Sequence, residues 1–284
     1  MPESPSFTLA PGVRLFAAPD GWLLALPGEE DRFVRVRAEP EGVRHLAERL
    51  SGRPAIESGE AADLLDRFVR AGYALPAEPP PAPPLAGRRI AIGGANPIAQ
   101  ALAEILRPLG AEVLAQQEEV SPTAPSRSFD LAIVCSGFLR DAEFQAFDRT
   151  LRDRNLAWHV CYPEGRRWFL GPLCRPGGLS YADVRARRLA ATYRPTELMA
   201  LWRALDRGEA VGATPWPGPA ACAALAAALS ADAEAYLSGG VAPSDGYQLS
   251  FDPERFSWRR HPVLAVPRDL LAPDALEAPA GAFA

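Results

Sequence analysis

Lysine is missing from this chain: all 30 of its basic residues are arginine. That absence excludes whole classes of chemistry, including a phosphate-loop lysine, a lysine Schiff base to a carbonyl or pyridoxal, and a lysine that steadies a transferring phosphate. Paired cysteines are missing as well. Cys135, Cys161, Cys174 and Cys222 are scattered with no C-x-x-C among them, so the closely spaced ligands of a structural zinc are not supplied and no metal is expected. They are expected to be buried structural thiols, since a free cysteine behaves as a small hydrophobe. The three histidines, His45, His159 and His261, stand far apart. His45 falls in a helical pattern and His159 in a strand, and all three are expected to be ordinary polar residues near the surface or the core edge. No G-x-S-x-G nucleophile turn occurs. No apolar run is expected to approach the roughly 18 to 20 residues that span a membrane. The opening "MPESPSFTLAPGVR" lacks the basic start and apolar stretch of a secretory signal, which leads us to expect a cytoplasmic protein. A net charge of -5 draws the molecule to neither nucleic acid nor membrane.

What is present is enough for a full hydrophobic core. The chain has 284 residues, 48% of them hydrophobic, a length that suggests about two domains. It divides at "ALPAEPPPAPPLAGRR", where six prolines between Pro76 and Pro84 favour a stiff, extended spacer over a helix or central strand. The expected organisation is therefore an N-terminal module over 1–76, a Pro-rich linker over 77–87 and a second domain over 88–284.

In the first module, "VRLFAA" and "GWLLALP" flank a Pro19-Asp20 turn and read as paired strands. "RFVRVR" then alternates, with Val34 and Val36 facing one way and Phe33, Arg35 and Arg37 the other. The period next becomes helical: Val43, Leu46 and Leu50 share a face that stops at Gly52, and Leu64, Leu65, Phe68 and Val69 align on a second helix that ends at Gly72. Three strands followed by helices make a winged-helix-like module. Its third strand can accept an extended peptide as a further strand, with arginines supplying charge complementarity. A nucleic-acid reader would need a basic helix, whereas Glu60, Asp63 and Asp66 share this one with its arginines.

After the linker, "RRIAIGGANPIAQALAEIL" runs from a buried strand through a glycine turn into an apolar helix. Set against the dinucleotide fingerprint G-x-G-x-x-G, Gly94 holds the first position, Asn96 the second and Ala99 the third. A side chain at Asn96 crowds the place of a phosphate, and Pro97 removes an amide donor. The turn therefore reads as kept for folding and damaged for binding. The ribose-binding acid expected about 20 residues on could only be Glu118 or Glu119. Strands "AEVLAQ", "FDLAIVCSG" and "LAWHVCYPE" alternate with helical stretches, the pattern of an α/β, Rossmann-type doubly wound sheet.

The segments "FLGPLCRPGG", "AALSADAEAYLSGG", "GYQLSFDPERFSW" and "RRHPVLAVPR", in this order behind the three-strand module, resemble E1-like (ThiF-like) leader-peptide-binding partner proteins of YcaO cyclodehydratases. Those proteins serve pathways to azole- and azoline-modified ribosomal peptides of the bacteriocin and thiopeptide type. The resemblance covers nearly the whole chain and rests on the order of its parts. It implies that the N-terminal module is a peptide recognition element. The precursor's leader would add to the third strand, in a groove formed by Phe33, Val34, Arg35, Val36 and Arg37 with Leu64, Arg67, Phe68 and Val69, and Arg70 nearby would add charge for an acidic leader. It implies a YcaO partner that performs the ATP-dependent cyclisation of Cys, Ser or Thr. It also allows a homodimer through the E1-like domain, for which the small-residue helix "AACAALAAALSADAEAYL" suits close packing against another helix. Where many relatives hold zinc by C-x-x-C pairs, this chain reads "GGLSYADVRARR" and "HPVLAVPRDL". With lysine missing and the glycine turn altered, adenylation by this chain is not expected, nor is any cofactor. An active E1-like adenylating enzyme and a nicotinamide oxidoreductase are the alternatives.

Overall fold

The structure, a computed structural model, describes residues 6–27, 32–53, 58–77, 82–116, 129–210 and 212–267. Glu118 and Glu119, the middle of the Pro-rich spacer, residues 121–128 and the residues beyond 267 lie outside the described residues. The chain forms two compact units, Met1–Pro81 and Ala82–Ala284.

The first unit opens with β1 (Phe7–Leu9), followed by β2 (Arg14–Ala18), β3 (Gly21–Leu26) and β4 (Arg32–Val36). β2, β3 and β4 form a three-stranded antiparallel sheet with β3 in the centre. Leu24 pairs across to Leu15 and Val34, which fixes the register of the inward face. Two helices cover that face, α1 (Pro40–Leu50) and α2 (Gly59–Arg70). Pro40 starts α1, where its missing N–H costs nothing, and Ser58 caps α2 by accepting from Ala61 N at 3.1 Å. The helices meet where Glu60 accepts the backbone N–H of Glu39 at 3.0 Å. A Cβ on Gly42 would lie 2.6 Å from the Glu60 carboxylate, so a side chain there would push that carboxylate away from its present place. β5 (Ala74–Pro76) returns to pair with β1, a short ribbon not foreseen from sequence. Val43, Leu46, Leu50, Leu64, Leu65 and Phe68 pack with Leu24 in the core, each contributing about 1.5–3 kcal/mol by leaving water.

The second unit contains β6 (Arg89–Gly93), α3 (Pro97–Leu106), β7 (Glu112–Gln116), β8 (Leu131–Cys135), α4 (Asp141–Asp153), β9 (Ala157–Glu164) and β10 (Arg167–Leu170). They are followed by α5 (Tyr181–Ala190), α6 (Pro195–Asp206), α7 (Pro219–Leu237), β11 (Tyr247–Asp252) and β12 (Ser257–Pro262). One seven-stranded sheet has the order β12-β11-β10-β9-β8-β6-β7. β7, β6, β8 and β9 run parallel, and β10, β11 and β12 extend the sheet antiparallel. Both faces are covered, so the inner stretches of the parallel strands are mostly apolar: Ile90, Ile92, Leu131 and Ile133 meet α3 and α7, while Ala91, Ala132, Val134 and Trp158 meet α4, α5 and α6.

Two expectations change here. α7 is 19 residues long and apolar enough to cross a membrane by length and composition, so one run does reach that length. Its apolarity comes largely from alanine, and Leu225, Ala226, Leu229 and Ala233 are fully buried in the core that it shares with α3. The close helix packing suited to its small residues is therefore made to the chain's own α3. All four cysteines are buried and free, as expected, with burial pushing the Cys135 thiol up to about 12.

Candidate functional site

In the first unit, a groove of about 220 Å³ opens between β4 and α2. Val34, Arg35, Val36 and Arg37 line it from the strand side, Leu64, Arg67, Phe68 and Ala71 from the helix side, and Leu24 and Tyr73 complete it. β4 pairs with β3 alone among the described strands, so half of its backbone donors and acceptors face an open edge. The groove thus combines an apolar floor, an unpaired strand and cations. Neither Arg37 nor Arg67 has a carboxylate partner among the described residues. Arg35 is engaged: its guanidinium donates to the Asp20 carbonyl at 2.6 Å and pairs with the Asp20 carboxylate. That bond and the arginine's charge hold the Asp20 carboxyl below its usual range.

Phe33, Val69 and Arg70, expected beside this groove, do not line it. Strand alternation puts Phe33 on the outer face, edge-on to Phe16 with ring centroids 6.2 Å apart. On α2 the buried stripe is Ala61, Leu64, Leu65 and Phe68. At 100° per residue Val69 falls about 90° from its centre, on the flank away from Arg67 and Ala71, and Arg70 falls about 180° away. Val69 is accordingly exposed, and Arg70 Nε turns back to the Asp66 carbonyl. Leu24, Ala71 and Tyr73 were missed. Leu24 was legible as the residue facing Val34 on the paired strand, whereas Ala71 and Tyr73 follow the helix and carry no periodic signal.

In the second unit the glycine turn sits at the switch point of the sheet, where the chain leaves β6 between β7 and β8 and where nucleotides bind in open α/β folds. Asn96 spans this gap. Its Oδ1 accepts from Ala99 N at 3.0 Å and caps α3, while its Nδ2 donates to the Cys135 carbonyl at the end of β8, 2.8 Å away. The helix amide that a phosphate would use is therefore taken by the chain itself. Gly94 has φ +105°, and a Cβ there would stand 2.2 Å from the Cys135 carbonyl oxygen. Just past β8, a Cβ on Gly137 would stand 3.2 Å from the Trp216 ring, which packs on Trp168 at 5.2 Å. Asn96→Ala removes a cap and leaves the Cys135 carbonyl without its side-chain donor, so it should cost about 2 kcal/mol in urea unfolding.

His159 does not match its bland expectation. It is fully buried, with Nε2 2.7 Å from Asp232 Oδ2, and Asp232 Oδ1 accepts Ser244 N at 2.8 Å. Ser244 Oγ accepts Leu173 N at 3.2 Å. These bonds fasten α7, β9 and the two loops that carry Leu173 and Ser244. The side chains have no exposure, which makes them a structural network.

No family model and no curated protein matches the chain. Solved structures share its fold. A heterocyclase in complex with substrate and cofactor aligns with a TM-score of 0.57 at 17% identity, over 92% of this chain and 38% of that one. The heterocyclase TruD aligns with a TM-score of 0.56 at 15% identity, over 91% and 41%. The microcin C7 biosynthetic enzyme MccB, in complex with N-formylated MccA, aligns with a TM-score of 0.55 at 11% identity, over 92% and 98%. The chain thus spans about two fifths of the length of the two heterocyclases and nearly all of MccB.

Proposed function

We propose that this chain is a precursor-binding protein of ribosomal peptide maturation. It captures a leader peptide by strand addition and presents the attached core to a YcaO-type cyclodehydratase. The observation that carries the reading is the groove between β4 and α2, where a strand edge and the cations Arg37 and Arg67, all without partners among the described residues, lie together over an apolar floor. Backbone pairing along β4 would give affinity, and the pockets between Val34, Val36 and Phe68 would take alternate side chains of the ligand. Arg37 and Arg67 would favour an acidic leader. On this reading the first unit is a winged-helix-like peptide recognition element and the second an E1-like scaffold.

The fold shared with two heterocyclases and with the biosynthetic enzyme MccB in complex with N-formylated MccA supports the setting. The two alternatives, an adenylating enzyme and a nicotinamide oxidoreductase, both need a nucleotide at the turn that Asn96 bridges. In the proposed role the chain supplies binding and its partner the ATP-dependent chemistry.

The test is fluorescence polarisation of labelled leaders, taken from small open reading frames beside the gene, against the full chain and a Val36→Pro variant. Proline at Val36 removes an N–H from the strand and fixes φ, and circular dichroism establishes that the module remains folded. Micromolar or tighter binding, lost in the folded variant, is the expected result. Equal binding by both proteins, or no binding of any leader, would sink strand addition.

A further inference from the structure

We propose that the corner where the second half of α5 lies over β10, β11 and β12 is an oxyanion site for a phosphate or phosphate monoester, built from Arg187, Arg259 and His261, with the buried Ser250 holding the imidazole in place. The β-ladder and two contacts from α5 put these groups together. Arg259 pairs with Ser250 and His261 with Gln248 across β11 and β12, so alternation places Arg259, Ser250 and His261 on one face. Ser250 Oγ lies 2.9 Å from His261 Nε2. From α5, Arg187 Nε donates at 2.7 Å to the carbonyl of Pro262, the residue next to His261. Arg188 lies 5.0 Å over the ring of Phe169, which pairs with Ser250.

Among the described residues, the charges in this corner are unbalanced. Glu164 neutralises Arg188, but Arg167, Arg187 and Arg259 have no carboxylate partner among the described residues. Asp252 is committed elsewhere, accepting the N–H groups of Glu254 and Arg255 at 3.1 Å. Arg187 is partly buried, and burial with the charge of Arg188 pulls its guanidinium below the usual range. Burial, Arg187, Arg188, Arg167 and Arg259, in that order, likewise hold His261 below its ordinary value. Arg259 is exposed while Arg187 and His261 are half-buried, and like charges gathered on one face repel one another and favour an anion between them. Guanidiniums grip oxyanions through paired N–H bonds. A single carboxylate would leave most of the charge unanswered, whereas a phosphate dianion answers it, with His261, held by Ser250, completing its shell.

His261 is a built-in reporter, since His45 and His159 are both buried. The imidazole signals of the full chain would be followed by NMR over pH with added inorganic phosphate, with AMP, and with chloride at matched ionic strength. Phosphate or AMP should raise the His261 pKa and saturate with a dissociation constant of about 1 mM or below. Tighter AMP binding would identify the source as an ester, tighter phosphate as the free ion. Arg259→Gln, and Arg187→Gln with Arg259→Gln, should weaken the response by about tenfold or more. An equal shift with chloride, an unsaturable one, or one that persists in the double variant would overturn the site.

Discussion

Asp232→Ala is expected to destabilise the second unit by about 3–5 kcal/mol, because it leaves a buried partner without its countergroup. Asp232 sits on α7 with no exposure, bonded to His159 Nε2 at 2.7 Å and to Ser244 N at 2.8 Å. Removing the carboxylate strands both, and water cannot reach either. For a unit of this size, a loss of that order lowers the melting temperature by roughly 10 °C. Tryptophan fluorescence reads it selectively, since five of the six tryptophans, all but Trp22, belong to this unit. The pH dependence follows from the same contacts. Burial pulls the Asp232 carboxyl upward, but the bond and attraction from His159 and the bonds from Ser244 outweigh it, leaving it below its ordinary value. A carboxyl with a lowered folded-state pKa contributes stability that is present above the unfolded value and lost as pH falls through the folded one. The gap between wild type and variant should therefore narrow below about pH 4. A melting temperature within about 2 °C of wild type at neutral pH would show that the pair holds nothing together.

This network also marks where sequence stops being legible. His159 and Asp232 are 73 residues apart, and neither sits in a motif, so no local pattern joins them. The alternation of Val34 and Val36 and the helical stripe through Leu64 and Phe68 were readable, because period and burial go together. They made the strand and the helix legible, whereas the choice of these two elements as the walls of one groove came from the family resemblance. Val69 was misplaced because an apolar neighbour of a buried residue is easily counted into the stripe, although its angle puts it on the flank. β1 and β5 are three residues each, too short to show a period. β12 reads "SWRRHP" and is largely exposed, so nothing apolar announced it, and the basic corner it helps to build was invisible for the same reason. The capping box at the start of α5, where Ser180 and Asp183 bond each other's backbone, was spelled out as Ser-x-x-Asp and could have been found. Asn96 was legible for the opposite reason: it stands where a known motif requires glycine.

Gly94→Ala should cost about 3 kcal/mol or more, and the loss should be the same with or without nucleotide. Gly94 has φ +105°, a conformation that penalises any side chain, and a Cβ would meet the Cys135 carbonyl oxygen at 2.2 Å and Asn96 Nδ2 at 2.5 Å. Cys135 ends β8, an inner strand paired on both sides, so the carbonyl cannot retreat without moving the sheet. In a functioning dinucleotide turn, glycine makes room for a pyrophosphate. Here the room at Gly94 is already filled, by the end of β8 and by the amide of Asn96, which are bonded to each other at 2.8 Å. The first glycine is thus retained for chain packing while the second has become the residue that closes the gap. Chemical unfolding of Gly94→Ala and of wild type, each with and without ATP or NAD, separates the two roles. A large destabilisation that neither nucleotide alters makes the turn an architectural joint. Stabilisation of wild type by ATP, lost in the variant, would reverse that conclusion and make the chain an adenylating enzyme in which Asn96 must swing aside.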